Sequence, residues 1–202
     1  MNWSRTILTA FLVFLLAACV FKSNAQETPS PIATPTAVKP SESKRAPELQ
    51  RALDAFVGSW IIDEMYPPSS LLPSGGKGHG TELWRAGPGG MSLIYEYHSI
   101  NPRGEMSGMA VLWWDAKANG FRELYCTSGG SNGCSMVDAQ IRWEGDNLVF
   151  TGSFEARGKR MFSREVWSDI KSDFHTMTIA DGERVDDLKP FIISHATRER
   201  RK

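Results

Sequence analysis

Few residues in this chain have the types and spacing for chemistry, and each carries a mechanical requirement. Gly129-Gly130-Ser131-Asn132-Gly133 matches the Gly-x-Ser-x-Gly pattern of a hydrolase nucleophile. Such a serine works on a sharp strand-to-helix turn that lifts its hydroxyl clear of the backbone. The residues after this one alternate as a strand, so the run reads as a hairpin loop. Gly75-Gly76-Lys77-Gly78-His79-Gly80 has glycines that a phosphate could approach. It lacks the P-loop spacing and no helical pattern follows it. The histidines, His79, His98, His175 and His195, include no pair at the four-residue helical spacing of a zinc motif. No catalytic set, no metal site and no cofactor is expected, and the chain is not read as an enzyme.

Binding chemistry is better represented. Arg85, Glu96, Glu123, Arg164 and Glu165 are charged residues inside strand-like segments. They form either a solvated outer face or an inner group that orients a ligand's head. Arg164 and Glu165 are adjacent, so on a strand they point to opposite faces and only one can line an interior. A guanidinium grips a carboxylate through paired hydrogen bonds. Exchanging Arg85 or Arg164 for Met is therefore expected to weaken an acidic ligand. Beyond residue 45 there are six tryptophans, Trp60, Trp84, Trp113, Trp114, Trp143 and Trp167. Trp113 and Trp114 must face opposite sides of their strand. One would then lie inside, and the other would mark a partner patch or pack under a helix.

The elements that must position these residues are mostly strands. Leu49, Leu53, Phe56 and Val57 fall at helical spacing after Pro47, which predicts one short helix over 48–57, stopped by Gly58. Strands are then predicted at 59–66, 79–86, 91–99, 107–115, 120–127, 134–143, 147–156, 160–168, 173–181 and 190–198. Turn residues separate them, such as Gly87-Pro88-Gly89-Gly90, Asn101-Pro102-Arg103-Gly104 and Glu144-Gly145-Asp146-Asn147. Within three of these segments one face is apolar: Leu93, Tyr95 and Tyr97; Val137, Ala139, Ile141 and Trp143; Leu148, Phe150 and Phe154. Pattern alone leaves open which face looks inward. Ten strands with hairpin spacing predict an all-β, antiparallel up-and-down sheet that closes, because closure removes exposed edges. The long connection from Pro67 to Gly80 reads as a portal at the mouth of a cavity.

The remaining sequence concerns delivery. Residues 1–25 read as an export signal, with Arg5 ahead of a nearly unbroken apolar run from Ile7 to Val20 that is short for a spanning helix. Ser23-Asn24-Ala25 offers one processing site, before Gln26. Leu16-Ala17-Ala18-Cys19 resembles a bacterial lipobox, which implies acylation at Cys19 and attachment to a membrane through that lipid alone. By the same resemblance the location is the periplasm or the outer membrane, with secretion as the alternative. Residues 26–45 carry Pro29, Pro31, Pro35 and Pro40 among Ser, Thr and Ala and read as an extended tether. At ~3.1 Å per residue it would reach about 60 Å. Export places Cys126 and Cys134 in an oxidising compartment, and the seven turn-forming residues between them predict a disulfide across a hairpin. Among all 202 residues, Lys and Arg number 23 and Asp and Glu number 23. That balance removes the electrostatic case for nucleic-acid binding.

Gly58-Ser59-Trp60 resembles the Gly-x-Trp opening of the calycins, the superfamily of lipocalins and fatty-acid-binding proteins. Leu53, Phe56-Val57-Gly58-Ser59-Trp60, Trp84-Arg85, Gly89-Gly90, Tyr95-Glu96-Tyr97, Gly108, Trp114-Asp115 and Arg164-Glu165-Val166-Trp167 recur in the order seen in a bacterial family of calycin-like domains of undescribed function. The resemblance spans roughly 48–197 and implies a barrel over 46–202 with a central cavity. In lipocalins an Arg on the last strand covers the opening Trp, a role that Arg198 or Arg200 would take over Trp60. The chain also resembles haem-binding nitrobindin-type barrels at Gly58-Ser59-Trp60. It departs at Ile61-Ile62-Asp63-Glu64, where those have a glycine-rich continuation, and this argues against haem. The expected ligand is a small apolar or amphipathic molecule, met by Trp60, Arg85, Tyr95, Tyr97, Trp114 and Arg164. The alternative is an envelope structural or interaction protein whose barrel is filled by its own side chains. No protein partner is specified.

Overall fold

The computed structural model describes residues 44–69, 72–129, 133–156 and 158–200. The export signal, Cys19 and the tether as far as residue 43 lie outside the described residues. Helix α1 (Pro47–Phe56) comes first. Pro47 suits the first turn because its missing N–H would have no helical partner. Ala46 before it is extended, as the residue ahead of a proline prefers. Leu49, Ala52, Leu53 and Phe56 make one buried face. Gly58 follows with φ of 147°, a conformation that side-chain-bearing residues avoid. A Cβ there would also strike the Arg198 guanidinium.

The strands then run as a meander: β1 (Gly58–Tyr66), β2 (Gly76–Ala86), β3 (Leu93–Asn101), β4 (Gly104–Asp115), β5 (Gly120–Thr127), β6 (Cys134–Met136), β7 (Ala139–Glu144), β8 (Asn147–Ala156), β9 (Lys159–Ser168), β10 (Phe174–Gly182) and β11 (Lys189–Arg198). Neighbours pair antiparallel, and β1 pairs with β11 from Trp60↔Arg198 to Met65↔Ile193, closing the sheet. β6 and β7 occupy one position in the wall, both against β5, so the barrel has ten staves.

Two predicted bounds are corrected. The 134–143 strand divides at Val137 and Asp138. Pairing with β5 passes from Leu124↔Met136 to Phe121↔Ile141, which leaves two extra residues on the β6–β7 side as a bulge. The glycine run at 76–80 is not loop but strand, in register with β1 from Tyr66↔Gly76 to Ile62↔Gly80. The connection after β1 therefore shrinks to 67–75. Cys126 and Cys134 face each other across β5 and β6 and form the predicted disulfide, with Cα atoms 4.0 Å apart.

The apolar faces point inward. Trp60 and Ile62 of β1, Leu93 of β3, Ala110 and Leu112 of β4, Phe121 of β5, Ile141 of β7, Leu148 and Phe150 of β8, and Trp167 of β9 join the helix face in one core.

Candidate functional site

The two ends of the barrel are chemically different. At one end α1 acts as a plug. Phe56 stacks on Trp84 at 4.9 Å and meets Trp167 edge-on at 5.5 Å. The Trp60 indole donates to the Phe56 carbonyl at 2.8 Å, and the Trp143 indole to the Glu48 carbonyl at 3.1 Å. Arg198 lies over the Trp60 ring at 4.1 Å and donates to the Val57 and Ala55 carbonyls. Its guanidinium thus caps the last turn of α1 and covers the opening tryptophan together, as the calycin resemblance implied. Beneath the plug His175 is 1% exposed. Its Nε2 lies 3.2 Å from Glu82 Oε2, which also accepts from the Trp84 indole at 3.0 Å.

The other end is open. Between the plug and that end lies a cavity of about 560 Å³, a size typical of small-molecule sites. Its inner wall is Trp84, Tyr95, Leu112, Phe150, Trp167 and Met177, and its mouth is marked by Tyr66, Arg103, Met136 and Phe191. Alternation brings Tyr95, Tyr97, Ser99 and Asn101 of β3 to the inside in succession. Tyr97 needs Gly108 opposite it on β4, because a Cβ there would occupy the space of the Tyr97 ring. The Tyr97 hydroxyl lies 2.9 Å from that of Tyr125.

Apart from Arg103, the ionisable groups of this wall other than its tyrosines are acidic. Glu64 accepts from the Tyr66 hydroxyl at 3.0 Å and the Ser99 hydroxyl at 2.5 Å. Glu165 accepts from the Trp167 indole at 2.5 Å. Burial, aided by the nearby Glu165 charge, pushes the Glu123 carboxyl up to about 8. Burial also pushes Glu165 up to about 7, the Trp167 hydrogen bond opposing it and the charges of Glu82 and Asp181 adding to it. Asp181 moves upward through burial, with the Ser163 hydroxyl opposing. The Tyr95 phenol is held well above its ordinary range by burial, then by Glu82 and Glu165.

Of the six residues expected to meet a ligand, Tyr95 and Tyr97 line the cavity. Trp60 and Trp114 face inward but belong to the plugged end. Trp114 packs edge-on against Phe121 at 5.3 Å and borders a shallow cleft with Pro47, Arg51 and Trp143. Arg85 and Arg164 stand on the outer face. Arg85 pairs with Glu96 at 2.6 Å, and Arg164 with Glu144 at 2.8 Å. The head-group role expected of these arginines is corrected, because strand alternation turns them to solvent and places Trp84 and Glu165 inside. Sequence reasoning missed Glu64, Tyr66, Tyr125 and Asp181. The signal for Glu64 and Tyr66 was present: they continue the inward phase of Trp60 and Ile62.

A closed up-and-down barrel of ten strands, plugged by one N-terminal helix and hollow within, defines a calycin-like barrel. No family model matches the chain, and no curated protein matches it. Solved structures do. The crystal structure of Rv2717c from M. tuberculosis superposes with a TM-score of 0.52 at 15% identity, over 78% of this chain and 100% of that one. The S-type phycobiliprotein lyase CPES from Guillardia theta gives 0.51 at 10% identity, over 77% and 94%. At these identities the likeness is one of fold.

Proposed function

We propose that this protein is an exported, lipid-anchored barrel that binds a small apolar or amphipathic molecule in the cell envelope and performs no chemistry on it. The observation that carries the reading is the open cavity of about 560 Å³, walled by aromatic and aliphatic side chains with a few polar groups among them. The cavity counts against the alternative of a barrel filled by its own side chains. Titratable pairs do lie within hydrogen-bond reach on the wall, Glu64 with Tyr66 and Tyr97 with Tyr125, but the buried histidine–carboxylate pair, His175 and Glu82, does not line the cavity. Membership of a lyase fold-neighbour in the same architecture does not carry its activity across. The Leu16–Cys19 lipobox and the proline-rich tether support anchoring. The Cys126–Cys134 bridge supports an oxidising compartment.

The test is titration with N-phenylnaphthylamine, a neutral apolar fluorophore. The wild type is expected to bind one equivalent with enhanced emission. Ile179→Trp, which fills space along the cavity wall, is expected to abolish the enhancement. Equal enhancement by both proteins would place the dye elsewhere and remove the reading.

A further inference from the structure

The cavity is one-sided in charge, which extends the binding reading and rests on it. Among the described residues its wall carries five carboxylic acids, Glu64, Glu123, Asp138, Glu165 and Asp181, against one cationic side chain, Arg103. Arg103 is at the mouth, above the Tyr66 and Phe191 rings. Glu64 and Glu165 have hydrogen-bond donors from the protein. Glu123 is 8% exposed; its backbone carbonyl accepts from the Val137 N–H at 2.9 Å, and among the described residues no hydrogen bond to its carboxyl is found. Asp181 likewise has a buried Oδ1 without a partner. Native proteins rarely leave buried acceptors unpaired, so such groups ask for an explanation. Around them Trp84 and Tyr95 have ring centroids 4.2 Å apart, and Tyr95 and Tyr97 are 5.7 Å apart and stacked. Aromatic faces attract cations, and strongly so when desolvated.

We propose that the cavity selects amphiphiles with a cationic amine or ammonium head, held by Glu123 and Glu165 and by the tyrosine–tryptophan wall. The apolar chain lies against Leu112, Phe150, Met177 and Ile179. A protonated primary amine supplies donors to the Glu123 carboxyl, while a quaternary ammonium, which has no N–H, brings its charge to the acids and the aromatic faces. At about pH 8, where Glu165 is largely ionised and Glu123 partly so, a carboxylate head would meet like charge.

Isothermal titration calorimetry of the purified full-length protein with decylammonium, decyltrimethylammonium, decanol and decanoate tests this at about pH 8. Both cations are expected to bind roughly ten-fold or more tightly than decanoate, with decanol between them. Glu123→Gln and Glu165→Gln are expected to narrow that ratio several-fold, while Arg85→Met on the outer face leaves it unchanged. Decanoate binding as tightly as decylammonium would overturn the proposal, as would an unaltered ratio in both glutamine variants. The wild-type comparison stands even if a variant fails to fold. If none of the four binds, the cavity-binding reading itself falls and takes this inference with it.

Discussion

Glu123 and Glu165 are the residues whose behaviour departs furthest from what their types suggest. Both carboxyls sit above their ordinary value of 4.5, at about 8 and about 7, because burial disfavours the charged form. The groups facing them are Glu82, Asp181, Tyr95, Tyr97 and Tyr125, with Arg103 at the mouth. A raised native pKa means that the folded chain keeps a proton which the unfolded chain releases. The resulting stability is complete below about pH 4.5 and is lost as pH rises through about 7 to 8. The ligand-free protein should therefore lose on the order of a few kcal/mol between about pH 5 and 9, roughly 5–10 °C in Tm. Glu123→Gln should flatten most of that slope, read by thermal melts across buffers. A Tm that climbs over this interval would contradict the assignment. The half-buried carboxylates Asp115 and Glu144, held low by hydrogen bonds they accept from Ala118 and Arg122 and from Arg142 and Arg164, act only at lower pH. At this scale the sequence was partly legible. Glu123 and Glu165 stood out as charges inside strands, but their sense was obscured by Arg85 and Arg164, which lie on equally apolar segments and point outward.

At the scale of elements, turn chemistry and alternation were enough to place α1 and nearly every strand. Leu49, Leu53 and Phe56 marked the helix face that now plugs the barrel. The Val137–Asp138 bulge was not visible, because nothing local to those two residues opposes a continuing strand; the break comes from register against β5. The glycine run at 76–80 misled for the opposite reason. Glycine reads locally as loop, yet pairing with β1 along 76–80, and with β3 from His79 onward, holds it as strand. The delivery segment carries its own prediction. If Cys19 is acylated, cell fractionation should find the wild type with membranes and Cys19→Ser in the soluble fraction. Equal membrane association of both would contradict anchoring through an acyl group on Cys19.

The whole molecule has a balanced formal charge, but closure sorts that charge. Outside, arginines and acids pair, as in Arg85–Glu96, Arg122–Asp115 and Arg164–Glu144, while the cavity holds five acids against Arg103. No window of sequence contains this arrangement, since Glu64, Glu123 and Glu165 come from three strands that only the closed meander turns to one interior. The cavity is likewise a property of closure, set where the plug ends and the aromatic wall begins. Its occupancy is open to direct observation through the methionines. Met106, Met136 and Met177 line the cavity, whereas Met65 and Met91 are exposed outside it. Methyl-labelled methionine NMR, with the tightest-binding decyl amphiphile added to saturation, is predicted to shift the Met177, Met136 and Met106 signals and leave Met65 and Met91 in place. Shifts confined to Met65 and Met91, with Met177 unmoved, would contradict a ligand held inside the barrel.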